Sequence, residues 1–192
     1  MRRFCLVLFA LMLLCSCKGK NVSGPESVGG ETQVKEKVAL KVTSGAFADG
    51  GMMAGKYTCD GENVSPPLAW SGVPGEAKSL ALVCEDPDAP SGVWTHWVMF
   101  NVPVGLGSLA ENVPPSGEMA GGGRQGRNDF GRTGYGGPCP PNGTHRYFFK
   151  LYALDALVSV EAGAKKDQLL KAMEGHVLGE GELMGKYERR RE

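Results

Sequence analysis

From Val38 onward the hydrophobic positions fall mostly on a period of two. Val38, Leu40 and Val42 alternate with Ala39, Lys41 and Thr43, which predicts a half-buried strand. Leu80-Ala81-Leu82-Val83-Cys84 is an unbroken apolar run, the pattern of a central strand. Trp94 to Val102 predicts another strand, stopped by Pro103, and His145 to Leu154 the longest one, rich in aromatics. Gly, Pro, Asn and Asp clusters between these runs mark turns. Gly121 to Pro141 has no apolar period and is read as a long loop, a kind that is usually functional or mobile. The period changes near the end. Leu169, Leu170, Met173 and Val177 recur at helical spacing, with Gly175 as a C-cap, and Leu183 to Tyr187 predicts a short last strand. The expected fold class is mainly β and antiparallel, with one or two small helices.

Composition narrows the function classes. In 192 residues, Lys+Arg 21 balance Asp+Glu 21, so the basic footprint of a nucleic-acid binder is missing. A hydrophobic share of 42% allows a buried core and excludes disorder throughout. Gly121-Gly122-Gly123-Arg124-Gln125-Gly126 satisfies G-x-G-x-x-G. It follows Pro114-Pro115-Ser116-Gly117 rather than a strand, so a dinucleotide site is not expected.

The first segment reads as an address. Arg2 and Arg3 precede an apolar run from Phe4 to Cys15, too short for the ~20 residues of a membrane-spanning helix. Leu14-Cys15-Ser16-Cys17 resembles the lipobox of bacterial lipoproteins. That resemblance implies a signal peptide over 1–16, cleavage before Cys17, and acylation of Cys17. The chain would then be exported and lipid-anchored in the cell envelope. Residues 17–36 read as a polar tether and 37–192 as the folded domain. Beyond Cys17, three cysteines remain, allowing three pairings. Cys84 ends an apolar strand and is expected to be a buried free thiol, which leaves Cys59–Cys139 as the hypothesised bridge.

The chemistry-bearing residues are polar groups at the ends of apolar strands. Asp86 and Asp88 follow the Leu80–Cys84 strand. Alternation makes His145 and Tyr147 neighbours on one face and places His96 on a face with Val98 and Phe100. Asp86-Pro87-Asp88-Ala89-Pro90, Thr95-His96-Trp97 and Gly143-Thr144-His145-Arg146-Tyr147 resemble the phosphatidylethanolamine-binding proteins. Asn63-Val64-Ser65-Pro66-Pro67-Leu68 and Gly134 through Pro141 resemble the bacterial, Raf-kinase-inhibitor-like branch of that family. The resemblance runs from about Val38 to Arg189. It implies a large antiparallel sheet packed on a smaller one, with peripheral helices. It also implies a pocket for a phosphate-type anion or phospholipid headgroup, lined by Asp86, Asp88, His96, Pro140, Pro141, His145 and Tyr147. The loop Gly126–Gly131 would lie close by. A non-enzymatic, membrane-tethered binding protein without cofactor or metal is expected. The alternative is an inhibitor or interaction module that presents the pocket rim to a protein partner. A hydrolase or metal enzyme using His96, His145 and an Asp ranks third.

Overall fold

The computed structural model describes residues 36–189. The predicted signal peptide, Cys17 and the tether up to residue 35 lie outside the described residues. In chain order the elements are β1 Val38–Ala39, β2 Lys41–Thr43, β3 Leu68–Ser71, β4 Ser79–Asp86, β5 Trp94–Val102, β6 Ser108–Leu109, β7 Arg124–Gln125, β8 Thr144–Leu154, α1 Lys166–Met173 and β9 Val177–Glu188. They form a six-stranded sheet, β1-β9-β8-β4-β5-β7, and a three-stranded sheet, β2-β3-β6. The fold class is mainly β, as the pattern predicts. The large sheet is mixed rather than purely antiparallel, because β1 runs parallel to β9.

β4 lies between β5 and β8, and both of its faces are covered. Leu80, Leu82 and Cys84 join one core with Val42, Leu68 and Trp70 of the small sheet. Ala81 and Val83 join a second core with Leu169 and Met173 of α1. This double cover is why the strand reads as continuous apolar sequence instead of alternation. Burying Leu169 and Met173 contributes roughly 1.5–3 kcal/mol each to docking the helix. Glu85 secures the same helix: its carboxylate accepts from Lys150 at 2.5 Å and Lys166 at 3.1 Å. Burial pushes the Glu85 carboxyl up, but these two ammonium groups outweigh it and hold it below its ordinary range.

Three expectations change. The run from Val38 to Thr43 is not one strand; it divides at Leu40 between the two sheets. The helix stops at Met173, and Gly175 (φ 79°) turns the chain so that Val177 opens β9 instead of extending the helical face. β9 is also longer than the Leu183–Tyr187 run. Its first half hides from pattern reading because it carries glycine where the neighbouring chain presses close: a Cβ on Gly181 would stand 2.2 Å from the Leu40 carbonyl oxygen.

Candidate functional site

Antiparallel pairing brings the end of β4 beside the starts of β5 and β8. Asp86, His96 and His145 therefore meet at one end of the large sheet. They line a cavity of about 190 Å³ together with Trp94, Phe130, Pro140 and Pro141.

His96 reaches this cavity by a break in the alternation. Cys84 pairs with Trp97 but Glu85 pairs with Thr95, so His96 is the extra residue of a β-bulge. Val98 and Phe100, expected on its face, turn to the α1 side. His96 instead sets its ring edge-to-face on Tyr147, with centroids 5.1 Å apart. Phe130 closes the other flank, 5.3 Å from His96 and 5.5 Å from Trp94.

The two imidazoles are held in the same way. His145 Nδ1 donates to Asp86 Oδ2 at 2.7 Å, with both side chains buried. His96 Nδ1 donates to the Gly136 carbonyl at 2.5 Å, and Gly136 N–H returns a bond to the His96 carbonyl at 2.9 Å. Each Nδ1 proton is thereby occupied, which leaves Nε2 of each ring as its remaining polar atom. Burial pushes the His96 pKa below its ordinary value, and the Gly136 carbonyl and the Asp86 charge only partly offset it. Asp86 also serves its turn, since Oδ1 accepts from Asp88 N–H at 2.8 Å. Turn capping and histidine orientation are two jobs of one carboxylate.

The remaining predicted residues divide. Pro140 and Pro141 are in the wall, and the loop before them is tied down. Cys139, also in the wall, is joined by a disulfide to Cys59, and Gly137 N–H donates to Asn63 Oδ1 at 2.7 Å. Cys84 is a free, buried thiol. Tyr147 packs against His96 but is fully buried. Burial first, and then the charge of Asp86, push its hydroxyl far above the ordinary phenol range. Asp88 does not join the cavity wall. Arg146 takes its carboxylate through Nε at 2.9 Å, Nη2 at 2.7 Å and its own backbone N–H at 2.9 Å. Those bonds hold the Asp88 carboxyl at about 2.

One donor of the wall sharpens the chemistry. Among the described residues, Trp94 Nε1 is buried without a protein acceptor. A buried unpaired donor costs about 1–3 kcal/mol. This donor, two imidazoles and a proline-walled opening make an acceptor-rich guest the natural complement. Among the described residues no group of three His, Cys, Asp or Glu side chains is arranged to hold a metal ion. Sequence reasoning missed Trp94 in the wall, and it missed the aim of His96 because a bulge has no periodic signature.

Comparison with known proteins gives a consistent result. A family model for phosphatidylethanolamine-binding protein matches residues 43–188. A UPF0098 protein of Methanothermobacter thermautotrophicus is 61% identical over 150 residues, covering 78% of this chain and 99% of the relative. Among solved structures, the phosphatidylethanolamine-binding protein homologue CT736 of Chlamydia trachomatis superposes with a TM-score of 0.73 at 45% identity, covering 79% of this chain and 99% of that one. YbcL of E. coli, described as a member of the mammalian PEBP family, gives the same TM-score at 34% identity, again over 79% and 99% of the two chains. With the family model matched over residues 43–188 and a relative 61% identical over 99% of its length, this chain belongs to the phosphatidylethanolamine-binding protein family.

Proposed function

We propose that the chain is a lipid-anchored binding protein whose cup holds a phosphate-type anion, as a phosphorylated small molecule or a phospholipid headgroup. The observation that carries this reading is the pair of imidazoles, each fixed through Nδ1, on one wall of a small solvent-open cavity. Once protonated, their Nε2 atoms become donors to phosphate oxygens. Charge-assisted bonds of this kind are worth about 1.5–3 kcal/mol each. Set against ordering costs, a few of them give a bare headgroup a Kd weaker than ~1 μM.

The depressed His96 pKa sets the pH dependence. Burial in the empty cup therefore disfavours the His96 imidazolium. An anion favours it, so binding takes up a proton and affinity rises as pH falls toward the lowered His96 value. Calorimetric titration of phosphorylethanolamine, repeated in buffers of different ionisation enthalpy, measures both quantities. His145→Ala is expected to remove the heat. An absence of binding at millimolar ligand refutes the cup.

The membrane location rests on the sequence at Cys17. Several acyl chains at ~0.8 kcal/mol per buried CH₂ give lasting attachment where one chain does not. Inhibiting the lipoprotein signal peptidase in cells is expected to accumulate the uncleaved precursor. Unchanged processing contradicts anchoring at Cys17.

A further inference from the structure

His96 faces the cup only because β5 carries one residue too many, and a bulge leaves the local ladder disrupted. On one side β5 is paired with β4. On the other, β7 reaches only Met99 and Phe100, so among the described residues no strand lies beyond the bulged end. Backbone groups on such an edge need partners from elsewhere.

A loop takes the place of the missing strand. Asp129 engages both backbone groups of Thr95, the residue just before His96. Asp129 Oδ2 accepts from Thr95 N–H at 2.7 Å, and Asp129 N–H donates to the Thr95 carbonyl at 3.0 Å. Beyond the bulge, Gly126 N–H donates to the Val98 carbonyl at 2.9 Å. The bulge is thus bracketed from Thr95 to Val98. Most of these bonds use main-chain N–H groups that nearly any residue would offer. The acceptor for Thr95 N–H is different, because it exists only while residue 129 carries a side-chain oxygen.

The turn that presents Asp129 is itself fixed. Asn128 is 1% exposed; its Nδ2 donates to the Gly134 carbonyl at 2.9 Å and its Oδ1 accepts from Arg132 N–H at 3.1 Å. The next residue along is Phe130, whose ring flanks His96 and Trp94. A single turn therefore delivers both the hold on the bulge and the aromatic wall against the imidazole.

We propose that Asp129 is a positioning residue of the cup: by clamping Thr95 it fixes the β5 bulge, and so keeps the His96 imidazole aimed at the bound anion. The consequence for binding rests on the anion-cup reading, whereas the aim of His96 is measurable without ligand. The titratable groups around His96 are Asp86 from β4, Asp129 from this loop, and His145 and Tyr147 from β8. The Asp129 charge adds to that of Asp86 in favouring the imidazolium. Asp129 is exposed, however, and solvent screens its charge, so the clamp is the larger effect.

The chain has three histidines, which makes their ring signals separable by NMR. His145, held by Asp86, and His176, bonded to Asp155, serve as internal references. In Asp129→Ala the His96 titration is expected to move up toward the ordinary histidine value, as the ring escapes burial, with His145 and His176 unmoved. Phosphorylethanolamine affinity is expected to fall about tenfold, the loss of one charge-assisted bond to the ligand. Asp129→Asn keeps an oxygen for Thr95 N–H and is expected to restore both the His96 titration and the affinity to within about twofold. An unmoved His96 signal in Asp129→Ala overturns the clamp. So does a shift shared by all three histidines, which marks general loosening. An Asp129→Asn chain that behaves like Asp129→Ala overturns it as well, because charge and not geometry is then at work. If the unaltered chain binds no phosphorylethanolamine while His96 still shifts in Asp129→Ala and returns in Asp129→Asn, the clamp stands and the anion cup falls.

Discussion

Asp86→Ala is expected to lower stability by ~3 kcal/mol and to abolish measurable headgroup binding. Asp86 is 4% exposed and accepts from two groups, the His145 ring and the Asp88 backbone N–H. Deleting one partner of a buried hydrogen-bonded pair strands the other, which costs about 3–5 kcal/mol where charges are involved and about 1–3 where a neutral donor is left. At roughly 2–4 °C per kcal/mol for a domain of this size, the melting temperature falls by about 6–12 °C. Binding fails for a separate reason: without an acceptor at Nδ1, the imidazole loses both its orientation and the tautomer that keeps Nε2 available. Asp86→Asn separates the two effects. The amide oxygen can still cap the turn, so stability largely returns, whereas headgroup affinity stays low. A melting temperature of Asp86→Ala within about 2 °C of the unaltered chain would show that the pair contributes little.

Loss of the Cys59–Cys139 bridge is expected to have the largest effect on stability. The cysteines are 80 residues apart in sequence, and closing so long a loop restricts the unfolded chain by ~4 kcal/mol on the chain-entropy account. Cys139→Ser, or reduction by dithiothreitol, is expected to lower the melting temperature by about 8–16 °C. The bridge also holds a wall of the cup, because Cys139, Pro140 and Pro141 line it. Reduction is therefore expected to weaken phosphorylethanolamine binding even below the melting transition. Cys84 does not interfere by exchange: it is buried, and burial pushes its thiol well above the ordinary range. A melting curve indifferent to reductant would refute this account.

Much of this architecture is legible in the sequence because it follows from burial on one face or two. β4, β5 and β8 each announce themselves by apolar density or alternation, and His145 and Tyr147 share a face as period two demands. What sequence conceals has a local cause in each instance. β9 is masked by glycines that yield space to Leu40. The division at Leu40 leaves no trace, because a strand that changes sheets keeps its alternation. His96 points into the cup by a single inserted residue, and Asp88 is captured by Arg146, a neighbour only after β4 and β8 pair. The motif resemblance points to Asp86, His96, Pro140, Pro141 and His145, which line the cavity, and also to Asp88 and Tyr147, which do not.

The division at Leu40 has a mechanical meaning. Val38 and Ala39 are paired to β9 in one sheet, Lys41 to Thr43 are paired to β3 in the other, and Leu40 N–H bonds the Glu180 carbonyl at the crossing. Six consecutive residues thus act as a rivet through both layers. Neither sheet can slide over its companion without shearing one of those two short ladders. Any tension entering from the preceding chain is met at this rivet, far along the polypeptide from the histidines, before it can deform the strands that hold them.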